Sequence, residues 1–92
     1  MGSPSSIEPA GTVPVVVPDL GIQDVPVVVS LWLVANGGRV EEGDRLVELL
    51  AGGATIDLEA PVAGRLVRQR VEEDDPVAVG DVIGDIQPVG TA

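Results

Sequence analysis

The side chains that could do chemistry here are carboxylates and arginines. The chain has no histidine and no cysteine. The usual zinc, copper and iron ligands are therefore missing, together with Ser-His and Cys-His nucleophile pairs. Two acidic groups stand out: Glu41, Glu42 and Asp44, then Glu72, Glu73, Asp74 and Asp75. Carboxylates so close together could ligate calcium, but neither group has EF-hand spacing, and both fit solvated turn tips. A glycosidase-type acid and base would need a cleft, which so small a chain is not expected to form. All five basic residues are arginines, Arg39, Arg45, Arg65, Arg68 and Arg70, so the sequence contains no lysine. Gly52-Gly53, inside LLAGGAT, could cradle a phosphate, but no helix start follows and no lysine assists. The pair suits a two-residue hairpin turn of the primed type, where glycine tolerates positive φ.

The elements that position these residues are strands. From Thr12 onward Val, Ile and Leu dominate, Gly and Pro punctuate every few residues, and no stretch holds a helical period. Strand-like runs fall at residues 13–17, 25–34, 45–50, 55–59, 66–71 and 82–87, with Trp32 expected in the core or half-buried at a strand edge. The 92 residues form one small domain at most, predicted to span 12–88 between a disordered tail, 1–11, and a short tail, 89–92. Met1-Gly2 with Ser6 fits the N-myristoylation pattern, as many vector-derived starts also do. The net charge of −10 disfavours nucleic acid and anionic membranes, and no apolar run is long enough for a membrane-spanning helix. A soluble, cytoplasmic domain is expected.

The chain also repeats. VANGGRVEEGDRLVEL from Val34 aligns with VEEDDPVAVGDVIGDI from Val71, 37 positions later. Val40 then matches Val77, Gly43-Asp44 matches Gly80-Asp81, Leu46 matches Ile83 and Leu49 matches Ile86. In each copy a strand ends in an acidic or Gly-rich loop, a valine turns inward, and a Gly-Asp turn starts the next strand. Neither half can bury a core alone. The two are expected to pack face to face as an all-β sandwich with a pseudo-two-fold axis, the Gly52-Gly53 hairpin lying between them.

Those residues resemble a known family. VPDLG at 17–21, VVVSLWLVANGGRVEEGDRLVEL, APVAG at 60–64 and VEEDDPVAVGDVIGDI, in that order, are similar to the biotinyl/lipoyl carrier domains. Most similar is the lipoyl domain of 2-oxo acid dehydrogenase acyltransferase components, over about residues 13–88. The resemblance implies a flattened β-barrel of two four-stranded antiparallel sheets, the barrel-sandwich hybrid. It also implies a prosthetic group, lipoate or biotin, on the lysine of an Asp-Lys-Ala hairpin. Laid along that pattern, the Asp and Lys positions fall on Gly52 and Gly53. The family thus implies a cofactor that this sequence has no lysine to hold, and the expectation is no cofactor, no metal and no enzymatic activity. By the same resemblance, Asp19, Leu20 and Ile22, in the loop after the first strand, are candidate contacts for partner proteins such as dehydrogenase-complex components. The domain is expected to be monomeric in isolation. Three functions follow from this: a non-carrier structural or docking module; a carrier domain whose tip was rewritten to Gly-Gly; and an assembly module like those of membrane-fusion adaptors or multi-subunit enzymes. The last ranks lowest, because those proteins separate the halves by a long insertion and here a two-residue turn joins them.

Overall fold

The computed structural model describes residues 11–21 and 24–89, all of it strands, turns and loops. Apart from Gly11 and Val89, the expected tails lie outside the described residues, as do Gly2 and Ile22. Eight strands form in order: β1 (Val13–Val16), β2 (Val27–Trp32), β3 (Arg39–Val40), β4 (Arg45–Ala51), β5 (Ala54–Glu59), β6 (Gly64–Gln69), β7 (Pro76–Val77) and β8 (Val82–Pro88). β3 and β7, two residues each, are too short to show a period in sequence. They sit where the repeat turns a valine inward, and Val40 and Val77 are both buried.

Two four-stranded antiparallel sheets result: sheet A, ordered β1-β8-β6-β3, and sheet B, ordered β5-β4-β2-β7. The expected sandwich is present. The halves, however, do not face each other as separate layers; each contributes two strands to each sheet. Interleaving explains why neither half could stand alone. Every strand of the first half hydrogen-bonds in a sheet completed by the second.

The 37-residue repeat becomes a two-fold in the backbone. β2, β3 and β4 match β6, β7 and β8 at that offset, and the register breaks of β2 (Val29/Leu31) and β6 (Leu66/Arg68) coincide under it. Such bulges re-aim side chains and sharpen the twist. The Gly-Asp turns match as well. Gly43 and Gly80 both have φ of 91°, a left-handed conformation that glycine adopts without strain. Asp44 Oδ2 accepts the Glu41 N–H and Asp81 Oδ2 the Ala78 N–H, each at 2.8 Å. Asp75 accepts the Glu72 N–H in the same way. These carboxylates are spent on closing turns.

Leu46, Val47, Leu49, Leu66, Ile83, Ile86, Val29 and Val40 fill the space between the sheets, all essentially buried. Each contributes roughly 1.5–3 kcal/mol by leaving water. Trp32 is half-buried at the end of β2, as expected, and packs on this core. Its indole N–H donates to the Val71 carbonyl at 2.9 Å, so the ring is apolar on its body and satisfied at its tip. Gly84 in β8 leaves room for that ring, since a Cβ there would touch Trp32, Leu66 and the Arg68 carbonyl.

Candidate functional site

The two-fold breaks in one place. Connections β2–β3 and β6–β7 are equal in length, as are β3–β4 and β7–β8. The β5–β6 connection has four residues, 60–63, whereas its counterpart between β1 and β2 has ten, 17–26. That longer loop begins with PDLG, and its far end lies on the β4–β5 hairpin. A Cβ on Gly52 would stand 3.2 Å from Val25 Cγ1. Val25, near the end of this longer loop, therefore borders the hairpin tip.

At the tip, Ala51 pairs with Ala54 and leaves Gly52-Gly53 as a two-residue turn. Gly52 has φ of 63°. Gly53 does not occupy the left-handed region, so only the first central residue needs glycine's freedom, as in a type II′ turn. Sequence alone allowed positive φ at both positions; the structure uses one. Both residues are exposed, and nothing lies within 4 Å of where a Gly53 Cβ would be. A side chain at 53 would project into solvent with neither steric nor backbone penalty.

In the bordering loop, Asp19 Oδ1 accepts the Gly21 N–H at 2.8 Å, an Asx-type turn that fixes the loop's start. Asp19 is exposed and Leu20 half-buried. Asp24, also exposed, takes a positive φ of 62°, a conformation that aspartate tolerates better than most residues. Of the three sequence-derived contact residues, Asp19 and Leu20 thus lie in the connection that abuts the hairpin, and Ile22 falls outside the described residues. The tip itself presents only backbone. Among the described residues no group of three or more carboxylates could hold a metal ion.

The sequence has relatives among known proteins. A family profile described as "Biotin-requiring enzyme", the biotin/lipoyl domain, matches residues 13–86. The chain belongs to this family. Its relatives include the dihydrolipoyllysine-residue acetyltransferase component of the pyruvate dehydrogenase complex of Mycobacterium tuberculosis, 35% identical over 91 residues. That match covers 97% of this chain and 16% of the relative. The Mycobacterium bovis protein of the same name matches equally, and the Corynebacterium glutamicum one is 35% identical over 75 residues, 82% of this chain and 11% of the relative. The chain thus spans a sixth or less of the curated relatives it matches. Members of the biotin/lipoyl family normally carry lipoate or biotin on a lysine, and the residues here do not fit such a group. The hairpin tip is Gly52-Gly53 and the 92-residue chain contains no lysine.

Two features of this region escaped sequence reading. The approach of Val25 to Gly52 links positions with no shared motif. The extra length of the β1–β2 loop was hidden, because the repeat is visible only from Val34 onward. Comparing the spacing from Val17 to Val27 with that from Ala60 to Gly64 would have exposed it.

Proposed function

We propose that this domain is a non-carrier member of the biotin/lipoyl family. It keeps the scaffold as a cytoplasmic structural or docking module and has no attachment point for a swinging arm. One observation carries the reading: the exposed two-residue tip at Gly52-Gly53, with Gly53 at the position that the resemblance assigns to the acceptor lysine and no lysine elsewhere in the chain. Arginine does not stand in for it, because the guanidinium stays protonated and is a poor acyl acceptor.

The similarity to acyltransferase components supports association with a 2-oxo acid dehydrogenase complex. On this reading Asp19 and Leu20, together with Ile22 in the same loop, contact a partner beside the tip. With no histidine, cysteine or lysine in the chain, and only the exposed carboxylates of Asp19 and Asp24 in this loop, the domain on this reading is not an enzyme. Co-expression with a lipoate ligase and a biotin ligase, followed by intact-mass measurement, tests the proposal. The expected result is the unmodified mass under both conditions, and a covalently added lipoyl or biotinyl group would overturn it.

A further inference from the structure

The charges of this molecule are sorted by face. Four of its five arginines, Arg39, Arg65, Arg68 and Arg70, belong to sheet A or follow directly from it, and all four are exposed. Arg39 and Arg65 are register partners on β3 and β6, so two guanidinium groups leave the same face side by side. Like charges placed opposite each other weaken a sheet. Among the described residues no carboxylate pairs with Arg39, Arg65 or Arg68, although acidic residues outnumber basic ones by 15 to 5. Asp85 stands opposite Arg68 in the β6–β8 register, but its carboxylate is engaged by Arg70 Nε at 2.7 Å. Arg45, on the other sheet, is paired with Asp57.

The two-fold shows that the fold does not require this charge. Under the 37-residue offset the mates of Arg39, Arg65, Arg68 and Arg70 are Pro76, Val28, Leu31 and Leu33. Val28 and Pro76 are paired on sheet B as Arg65 and Arg39 are on sheet A. One scaffold position therefore supports an apolar pair in one half and an unneutralised cationic pair in the other.

The arginine pair borders a cleft. Arg39, Gly64, Arg65, Gln87, Pro88 and Val89 line a recess of about 240 Å³. Arg65 Nη1 donates to the Gly37 carbonyl at 3.0 Å, which holds the guanidinium at the rim; among the described residues its other N–H groups have no partner. Planar, bidentate donors of this kind match carboxylates, and adjacent exposed ones can grip two acidic side chains of one segment. Nucleic acid is the poorer fit. The net charge of −10 acts against any polyanion alike, but the one aromatic residue, Trp32, is in the other sheet, so this face has no platform on which bases could stack.

We propose that the outer face of sheet A is a docking surface for a carboxylate-rich segment of another protein, with Arg39 and Arg65 gripping it at the cleft and Arg68 extending the contact. This deepens the docking reading above by naming the partner's chemistry. It stands on sheet A rather than on the hairpin, so the mass experiment can fail without touching it, and the reverse.

A fluorescein-labelled hexaglutamate peptide, titrated with the whole chain and followed by anisotropy at low salt, tests the proposal. Binding should be measurable and should weaken as salt screens it. The double substitution Arg39→Gln/Arg65→Gln should weaken it roughly five- to twentyfold, the product of two exposed ion pairs. Arg45→Gln should leave it within about twofold, since Arg45 is already neutralised. Thermal melting should show the double variant folded and melting close to the parent, because removal of a like-charge pair offsets the lost Arg65–Gly37 hydrogen bond. Arg39→Lys/Arg65→Lys, which keeps charge and loses the planar fork, should fall between the two.

No binding by the parent would overturn the proposal, as would equal weakening by Arg45→Gln. Tighter binding of a DNA oligonucleotide than of the peptide would make this a nucleic-acid surface instead. Full displacement of the peptide by inorganic phosphate at equal concentration would make it a small-anion site. A dimer in solution that Arg39→Gln/Arg65→Gln abolishes would assign the face to a second copy of this chain.

Discussion

Gly64, the last residue of APVAG, has no freedom to be anything else. A Cβ there would run into the carbonyl of Gln87 in β8, and this obstacle is backbone that no rotamer change can move. Gly64→Ala is therefore expected to destabilise the domain by about 3 kcal/mol, read as a lowered midpoint in urea. Gly53 is the opposite case, with open space and unstrained backbone, and there a long side chain should be tolerated. Asp85 illustrates a third kind of constraint. It is 9% exposed and takes a charge-assisted hydrogen bond from Arg70, whose side chain is 41% exposed. Asp85→Ala should cost about 1–2 kcal/mol, toward the lower end because solvent screens the arginine, and the loss should shrink in high salt.

Among the elements, the matched Gly-Asp turns are the clearest product of the repeat. Gly43 and Gly80 share one left-handed conformation with nothing near the missing side chain, so alanine at either meets backbone strain alone. Gly43→Ala and Gly80→Ala should each cost about 1 kcal/mol, equal to within about 0.5 kcal/mol, as measured by paired thermal melts. A large difference would mean that the two turns do different work. Much of this level was legible in the sequence. The valine-rich runs gave the long strands, the 37-residue offset gave the turns, and a Gly-Gly between apolar runs gave the hairpin. What the sequence hid has a physical cause in each case. β3 and β7 are too short to carry a period. The bulges at Val29/Leu31 and Leu66/Arg68 interrupt the alternation by which strand faces are recognised. The interleaving of the halves depends on which edges pair, and no local signal reports that.

For the whole molecule, the two sheets share one backbone plan and differ in what they show to solvent. Sheet A presents arginines where sheet B presents Val28, Leu31, Leu33 and Pro76. In the sequence the arginines read only as a set lacking lysine, because Arg39 and Arg65 lie far apart in the chain and are joined only by sheet register. The hairpin tip was more accessible, since a short motif in a known order fixes its place. Resemblance alone assigns Asp19 and Leu20 a role beside that tip; the residue of their loop that the structure brings up to it is Val25, next to Gly52.

The central claim concerns the absent acceptor, and one paired measurement tests it most directly. The parent chain and the Gly52→Asp/Gly53→Lys variant would be expressed side by side with lipoate ligase, and their intact masses compared. The variant restores an amine at an exposed, sterically open tip and is expected to gain one lipoyl group, while the parent remains unmodified. A lipoyl group on the parent chain would contradict the account outright.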